Sequence, residues 1–301
     1  MDCHRLYLCI MLFSTNRLSD IKTEAVQQLL ALYPEKEALS IVNLLIRHLF
    51  GLSRVEQQLQ KEKRLSESEM LQFIRAFQRL LKAEPVQYVL GTVSFCGIKI
   101  RVNPSVLIPR PETEELVTRM VAENSDLSGN ILDIGTGSGC IALALKNACP
   151  ACQLTAADIS TEALTLAAEN ATDAKLDINF IRCDMLDTQN CADILSKKFQ
   201  WIVSNPPYVL QSEKKYMEKR VLHYEPELAL FVEDTDPLLF YRKIRLLAER
   251  ILDKNGGIYL ELNAATARDV KRLFQTGFFR DVEILKDFRQ TERFLRAFRK
   301  G

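Results

Sequence analysis

The sequence predicts an α/β fold: a mostly parallel sheet with helices on both faces, preceded by a small helical bundle. Three observations carry this expectation. From residue 130 onward, apolar runs of strand length alternate with stretches of helical period, the pattern of a parallel sheet built by crossovers. The first of these strands ends in a glycine-rich loop, Asp133-Ile134-Gly135-Thr136-Gly137-Ser138-Gly139. Residues 15–84, in contrast, show little β-branched enrichment and repeated helix-start signals.

In chain order, Pro34 followed by Glu35 and Glu37 opens a helix, and Gly51 stops it. Ser53-x-x-Glu56 and Ser66-x-x-Glu69 have the form of capping boxes. After the second, Met70, Ile74, Phe77 and Leu81 recur at helical spacing until Pro85. Residues 1–84 are therefore expected to form a helical domain, either for recognising a partner or for packing against the rest of the chain. Residues 85–110 are expected to be a linking β-hairpin, with strands Val89–Ser94 and Ile98–Val102 around Gly97. The stiff segment Leu107-Ile108-Pro109-Arg110-Pro111-Glu112-Thr113-Glu114 follows, with Thr113 expected to cap a helix from Glu114 to Glu123. A second domain, 111–301, then carries strands at Ile131–Ile134, Gln153–Ala157, Ile178–Cys183, Trp201–Ser204 and Ile258–Leu262. Helices are expected from Ser138, from Ser160, across Pro237–Leu252 and across Ala264–Phe274. A last hairpin, Asp281–Lys286 and Glu292–Phe298, would add an antiparallel edge.

Composition limits the function classes. Forty Lys and Arg against 39 Asp and Glu leave a net charge of +1, which argues against a protein held mainly by nucleic-acid phosphates. The run Glu213–Arg220 is either a local basic patch or a solvated face. No run approaches a membrane span. The apolar run Leu6–Phe13 fits a first helix or a start codon upstream of the true one better than a signal peptide. Eight cysteines in 301 residues do not make a secreted disulfide framework. Free thiols, a reducing compartment and a cytoplasmic location are expected. Cys149-Pro150-Ala151-Cys152 falls between a helix and a strand, where redox or metal chemistry is weakly supported; no second ligand pair exists, and no metal site is expected.

The chemistry lies at strand ends. Asn205-Pro206-Pro207-Tyr208 follows the buried run Trp201–Ser204, and two prolines must end that strand. The carboxyl edge of an open α/β sheet is where ligands bind. Asn205 both donates and accepts, the Pro206 carbonyl accepts, Pro207 stiffens the loop, and Tyr208 offers a flat face. This suits a planar nitrogen carrying N–H groups, such as a carboxamide or a nucleobase amine. The glycine loop has the spacing G-x-G-x-G, and its glycines allow close backbone approach at a helix N-terminus. Asp133 ahead of the loop suits an ammonium. Asp158 ends the second strand, where a ribose-binding acid is expected, and Asp184 ends the third, where it could accept from an adenine amine. Each acid alone could merely cap a loop. Together with the glycines they describe an amino acid joined to a ribose and an adenine, which is S-adenosyl-L-methionine.

With these motifs the chain resembles the class I methyltransferases, and more narrowly the release-factor glutamine methyltransferases. The resemblance covers nearly the whole chain. It is carried by Pro85-Val86-Gln87-Tyr88 with Gly91, by Leu107–Glu114, by Asp133–Gly139, by Asn205–Tyr208, and by Tyr224-Glu225-Pro226 with Ala229-Leu230. It implies a Rossmann-like, seven-stranded sheet and methylation of the glutamine side chain in the Gly-Gly-Gln motif of peptide chain release factors. It assigns cofactor binding to Asp133, Gly135, Thr136, Gly137, Ser138, Gly139, Asp158, Asp184, Met185 and Asn205. Substrate binding falls to Asn205, Pro206, Pro207 and Tyr208, of which Asn205, Pro206 and Tyr208 are expected to be catalytic. Met185 follows Asp184 where members often have an aromatic residue, and Leu262-Asn263-Ala264 follows Glu261 where members often have a glycine. A monomer without direct nucleic-acid binding is expected. NPPY alone also occurs in enzymes that methylate adenine N6 or guanine N2, so a nucleic-acid amine methyltransferase is the alternative.

Overall fold

The computed structural model describes residues 12–124, 127–187 and 191–301. They form two compact units, one ending at Gly91 and one running from Thr92 to Gly301.

The first unit consists of helices α1 (Leu18–Leu29), α2 (Glu35–Phe50), α3 (Arg54–Leu59), α4 (Glu67–Leu81) and α5 (Val86–Leu90). Both capping boxes form: Ser53 and Ser66 each accept from the backbone three residues on, and Glu56 and Glu69 reach back. Gly51 ends α2 in the left-handed region at φ 70°. The apolar stripes of α1, α2 and α4 meet in one core, where Phe13 packs edge-on against Phe73, with ring centroids 5.5 Å apart. Phe13 is thus structural; most of the apolar run that it ends lies outside the described residues.

One expected strand is corrected. Val89 and Leu90 belong to a helical turn that starts after Pro85 and ends at Gly91, φ 70°. Val86, Val89 and Leu90 all pack on the helical core, so a period of three to four residues prevails over the β-propensity of valine. The hairpin is shorter, β1 (Thr92–Phe95) with β2 (Ile98–Arg101).

The second unit holds a seven-stranded sheet, built from β3 (Asn130–Ile134), β4 (Gln153–Asp158), β5 (Asn179–Arg182), β6 (Phe199–Ser204), β9 (Leu252–Glu261), β10 (Phe279–Lys286) and β11 (Glu292–Arg299). Their spatial order is β10-β11-β9-β6-β3-β4-β5. β5, β4, β3, β6 and β9 are parallel, and β11 alone runs against them, between β9 and the edge strand β10. Helices α6 (Pro111–Glu123), α7 (Cys140–Ala148), α8 (Thr161–Ala174), α12 (Leu239–Ile251) and α13 (Ala267–Phe274) cover the sheet. Leu132, Ile202, Ile258 and Leu260 are fully buried at its centre.

Five short elements have no sequence signal: α9 (Ala192–Leu195), the parallel pair β7 (Val209–Leu210) and β8 (Phe231–Val232), and between these α10 (Lys219–Tyr224) and α11 (Glu227–Leu230). They are too short to show a period. The charge run lies in this insertion and is paired: Lys214 meets Glu227 at 3.0 Å, and Arg220 meets Glu218.

The expectation of free thiols throughout is also corrected. Cys149 is bonded to Cys152 and Cys183 to Cys191, each pair with Cα atoms 5.5 Å apart. The turn between α7 and β4 and the return of the chain after β5 bring the β-carbons within bridging range. Cys96 and Cys140 are free. Among the described residues, no helix is long and apolar enough to cross a membrane, and no group of three or more His, Cys, Asp or Glu side chains is placed to hold a metal ion.

Candidate active site

β3 pairs with β4 on one side and β6 on the other, so the chain leaves the carboxyl ends of β3 and β6 in opposite directions. A crevice must open at such a switch point. A cleft of about 240 Å³ lies there, lined by the glycine loop, Asp158, Asp184, Met185, Asn205–Pro207 and the adjoining Thr113, with Leu107, Pro109 and Arg110 on the other rim.

The glycines divide their work. Gly135 and Gly137 sit at φ 71° and 54°, and a Cβ on either would meet nothing within 4 Å, so the backbone is bare toward the cleft. Gly139, at φ 80°, faces inward, where a Cβ would fall 2.7 Å from Leu143 Cδ1 and 3.1 Å from Ala167 Cβ. It lets α7 start close to α8 and does not line the cleft. The loop hangs on β4: the Gly135 and Thr136 amides both donate to the Ala157 carbonyl, at 2.8 and 3.0 Å. Asp158 accepts from the amides of Gly137 (2.8 Å) and Ser160 (3.0 Å), so it caps the loop and lines the cleft at once.

Asp133 is fully buried beneath the loop and does not reach the cleft surface. Its Oδ2 accepts from the Thr136 hydroxyl at 2.6 Å, and its Oδ1 has no partner. The hydroxyl of Ser138, which does line the cleft, has none either. An unpaired buried polar atom is costly, and the Ser138 hydroxyl, which lines the cleft, is placed to be satisfied by a ligand there. The bare Gly135 and Gly137 backbone with the Ser138 hydroxyl suits the polar end of an amino-acid group, and Asp133 acts from beneath by holding Thr136.

Burial pushes the Asp133 carboxyl up to about 7 from 3.8, with the Asp158 charge adding to the shift. The folded protein therefore holds this proton more tightly than the unfolded chain, and its stability falls as pH rises through that window. Asp133→Asn is expected to flatten this slope. Denaturation midpoints of both proteins at about pH 5 and about pH 8 check it.

Asp184 Oδ1 accepts from the Leu186 amide at 2.8 Å, and Met185 and Leu186 extend an apolar wall along the cleft. Cys183, which is bonded to Cys191, starts that wall.

The NPPY loop is fixed at both ends. The Ser204 hydroxyl donates to the Ile134 carbonyl at 2.7 Å, joining β6 to β3 just before the loop. Asn205 Nδ2 donates to Thr113 Oγ1 at 3.1 Å, and Thr113 Oγ1 donates to Glu261 Oε2 at 2.7 Å. The Tyr208 hydroxyl donates to Glu261 Oε1 at 2.8 Å, and Asn263 Nδ2 donates to the Tyr208 carbonyl at 3.1 Å. Glu261 is buried, which raises its pKa, while the bonds from Thr113 and Tyr208 and the Arg293 charge oppose the rise.

Two expectations are corrected here. Thr113 is not a helix cap: α6 begins at Pro111, whose missing N–H costs nothing there, and the Thr113 hydroxyl is held by Glu261. Tyr208 does not offer its face to the cleft; its ring packs on the core of the sheet, which makes it a support of the loop. Glu261 itself had one weak signal, an acid ending the apolar run Ile258–Leu260.

The opposite rim is fixed by Glu225. This buried carboxylate accepts from Arg110 Nη2 at 2.6 Å and from the Ile108 amide at 3.1 Å. The proline-arginine segment and the Tyr224-Glu225-Pro226 segment thus form one wall.

Residues 111–225 match the family model for the methyltransferase small domain. Residues 20–91 match the PrmC N-terminal domain, which ends where the first compact unit ends. A release factor glutamine methyltransferase from Flavobacterium psychrophilum is 41% identical over 93% of this chain and 98% of its own length. One from Bacteroides thetaiotaomicron is 41% identical over 90% of this chain and 96% of its own. The chain belongs to the release factor glutamine methyltransferase family. It is a methyltransferase, and the small-domain match takes in Thr113, the glycine loop, Asp158, Asp184 and the NPPY loop. Two supports of this cleft, Arg110 and Glu261, lie outside that match.

Proposed function

We propose that this methyltransferase uses S-adenosyl-L-methionine to methylate the glutamine side-chain nitrogen in the Gly-Gly-Gln motif of peptide chain release factors. The observation that carries the reading is the shared cleft. A bare glycine loop backed by acids ends β3, and Asn205-Pro206 ends the adjoining β6. The relatives named above are release factor glutamine methyltransferases, which favours a protein amide over a nucleobase.

The residues present fit the methyl donor. Gly135 to Ser138 would hold its amino-acid end, Asp158 its ribose hydroxyls, and Asp184 with Met185 its adenine. When bound, the donor supplies an electrophilic methyl group on a cationic sulfur. The protein's own part is to position the nucleophile. A carboxamide nitrogen is weakly nucleophilic because its lone pair is delocalised. Asn205 Oδ1 and the Pro206 carbonyl accept from its N–H groups and hold the nitrogen facing the glycine-loop side of the cleft. Pro207 keeps the loop stiff, and Tyr208 supports it from behind. Positioning of this kind supplies at most about 7–11 kcal/mol. Transfer leaves a neutral thioether and an N-protonated amide, a strong acid that gives its surplus proton to water, so no strong base is needed, and neither histidine nor lysine lines the cleft among the described residues. The apolar walls exclude water and favour discharge of a cation. The helical unit ending at Gly91 recognises the partner, the unit from Thr92 carries the catalytic cleft, and the protein works in the cytoplasm, where translation ends.

The test is transfer of a labelled methyl group to a release factor, to its Gln→Ala variant, and to ribosomal RNA and DNA. Labelling of the unaltered factor alone is expected. Equal labelling of the variant, or labelling of nucleic acid, rejects the reading.

A further inference from the structure

We infer that Glu261 and Thr113 set the orientation of the Asn205 amide, and through it make the cleft select a carboxamide over a carboxylate. The inference rests on the proposed reading of Asn205 as the residue that holds the substrate nitrogen.

The chain of reasoning is one of donors and acceptors. Held ionised against its burial by the two hydroxyl bonds and the Arg293 charge, Glu261 only accepts, and its two oxygens take the hydroxyl protons of Thr113 at 2.7 Å and Tyr208 at 2.8 Å. A threonine hydroxyl has one proton, and this one is committed to Glu261. Toward Asn205, Thr113 can therefore only accept, and Asn205 must turn its NH2 toward it, as the 3.1 Å contact shows. Asn205 Oδ1 is left on the cleft side, an acceptor with no donor character. Glu261 and Thr113 are 1% and 3% exposed, so water does not compete for these bonds.

An acceptor in this position favours a ligand that brings N–H groups. A glutamine amide does; a glutamate carboxylate in the same place would set oxygen against oxygen. With the relay broken, Asn205 can rotate by half a turn, offer its NH2 to the cleft and welcome the carboxylate. Glu261 is thus a positioning residue that acts through Thr113, and neither needs to touch substrate. A site that leaves a polar group unpaired against the wrong ligand discriminates strongly, whereas one that can adapt does not.

The experiment compares a release factor with its Gln→Glu variant, the first as substrate and the second as competing inhibitor. The ratio of their binding constants is measured in the wild type, Thr113→Val and Thr113→Ser. The valine is nearly isosteric and lacks the hydroxyl. It is expected to lower the Gln-over-Glu ratio by about tenfold or more, together with kcat, with the dissociation constant for S-adenosyl-L-methionine unchanged. Serine is expected to retain the ratio. Glu261→Gln gives a second reading should the valine variant fail to fold: an amide no longer forces Thr113 to donate, so the ratio is expected to fall there too. Loss of turnover with an unchanged ratio would reduce Thr113 to a structural support and overturn the inference. A wild type that methylates no glutamine would instead overturn the reading beneath it.

Discussion

Asn205→Ala is expected to lower turnover by about 10²–10³-fold or more while leaving the affinity for S-adenosyl-L-methionine nearly unchanged. On the proposed reading, the substitution removes the side-chain acceptor for the glutamine N–H groups and leaves only the Pro206 carbonyl. The glycine loop does not depend on Asn205: its amides are held by the Ala157 carbonyl and the Asp158 carboxylate. Cofactor binding by calorimetry and single-turnover methyl transfer, measured on the same variant, separate the two effects. Turnover near the wild-type rate would show that the nitrogen is held by other groups.

The second large effect is on stability. Glu225→Ala leaves the Ile108 amide without its acceptor and Arg110 without its counter-charge. Removing one member of a buried pair is far more costly than the pair is worth. Arg110 is about one-third exposed and recovers part of its hydration, so a loss of about 3 kcal/mol is expected. Turnover should fall as well, because Leu107, Pro109 and Arg110 line the cleft. Glu225→Gln keeps an acceptor for one of the two donors and is expected to lose less. Chemical denaturation of both variants checks the order. An unchanged midpoint for Glu225→Ala would show that the rim is held by its prolines alone.

What was legible in the sequence was local. The alternation of strands and helices, the two capping boxes and the strand-ending prolines of the NPPY loop each declare themselves within a few residues. So do the bare glycines, although composition could not show that Gly139 faces a helix while Gly135 and Gly137 face the cleft. What was hidden spans long separations. Thr113 looked like a helix cap because its real partner, Glu261, lies 148 positions away. Arg110 and Glu225 are 115 positions apart, and their contact explains why two motifs are needed to form one wall. Tyr208 was assigned to the substrate from the chemistry of its ring; the buried carboxylate that binds its hydroxyl turns the ring the other way. Val89 was assigned to a strand by its propensity, and packing on the helical core reversed that. The cysteine pairs likewise needed the turn geometry, which spacing alone does not give.

The most direct test of the central claim is to locate the transferred methyl group. A release factor incubated with this protein and S-adenosyl-L-methionine is digested, and the peptide carrying the Gly-Gly-Gln motif is fragmented in a mass spectrometer. One added methyl group on the glutamine side chain, absent when Asn205→Ala is used, is the expected result. A methyl group on any other residue of the factor, or none on the factor and one on nucleic acid, would contradict it.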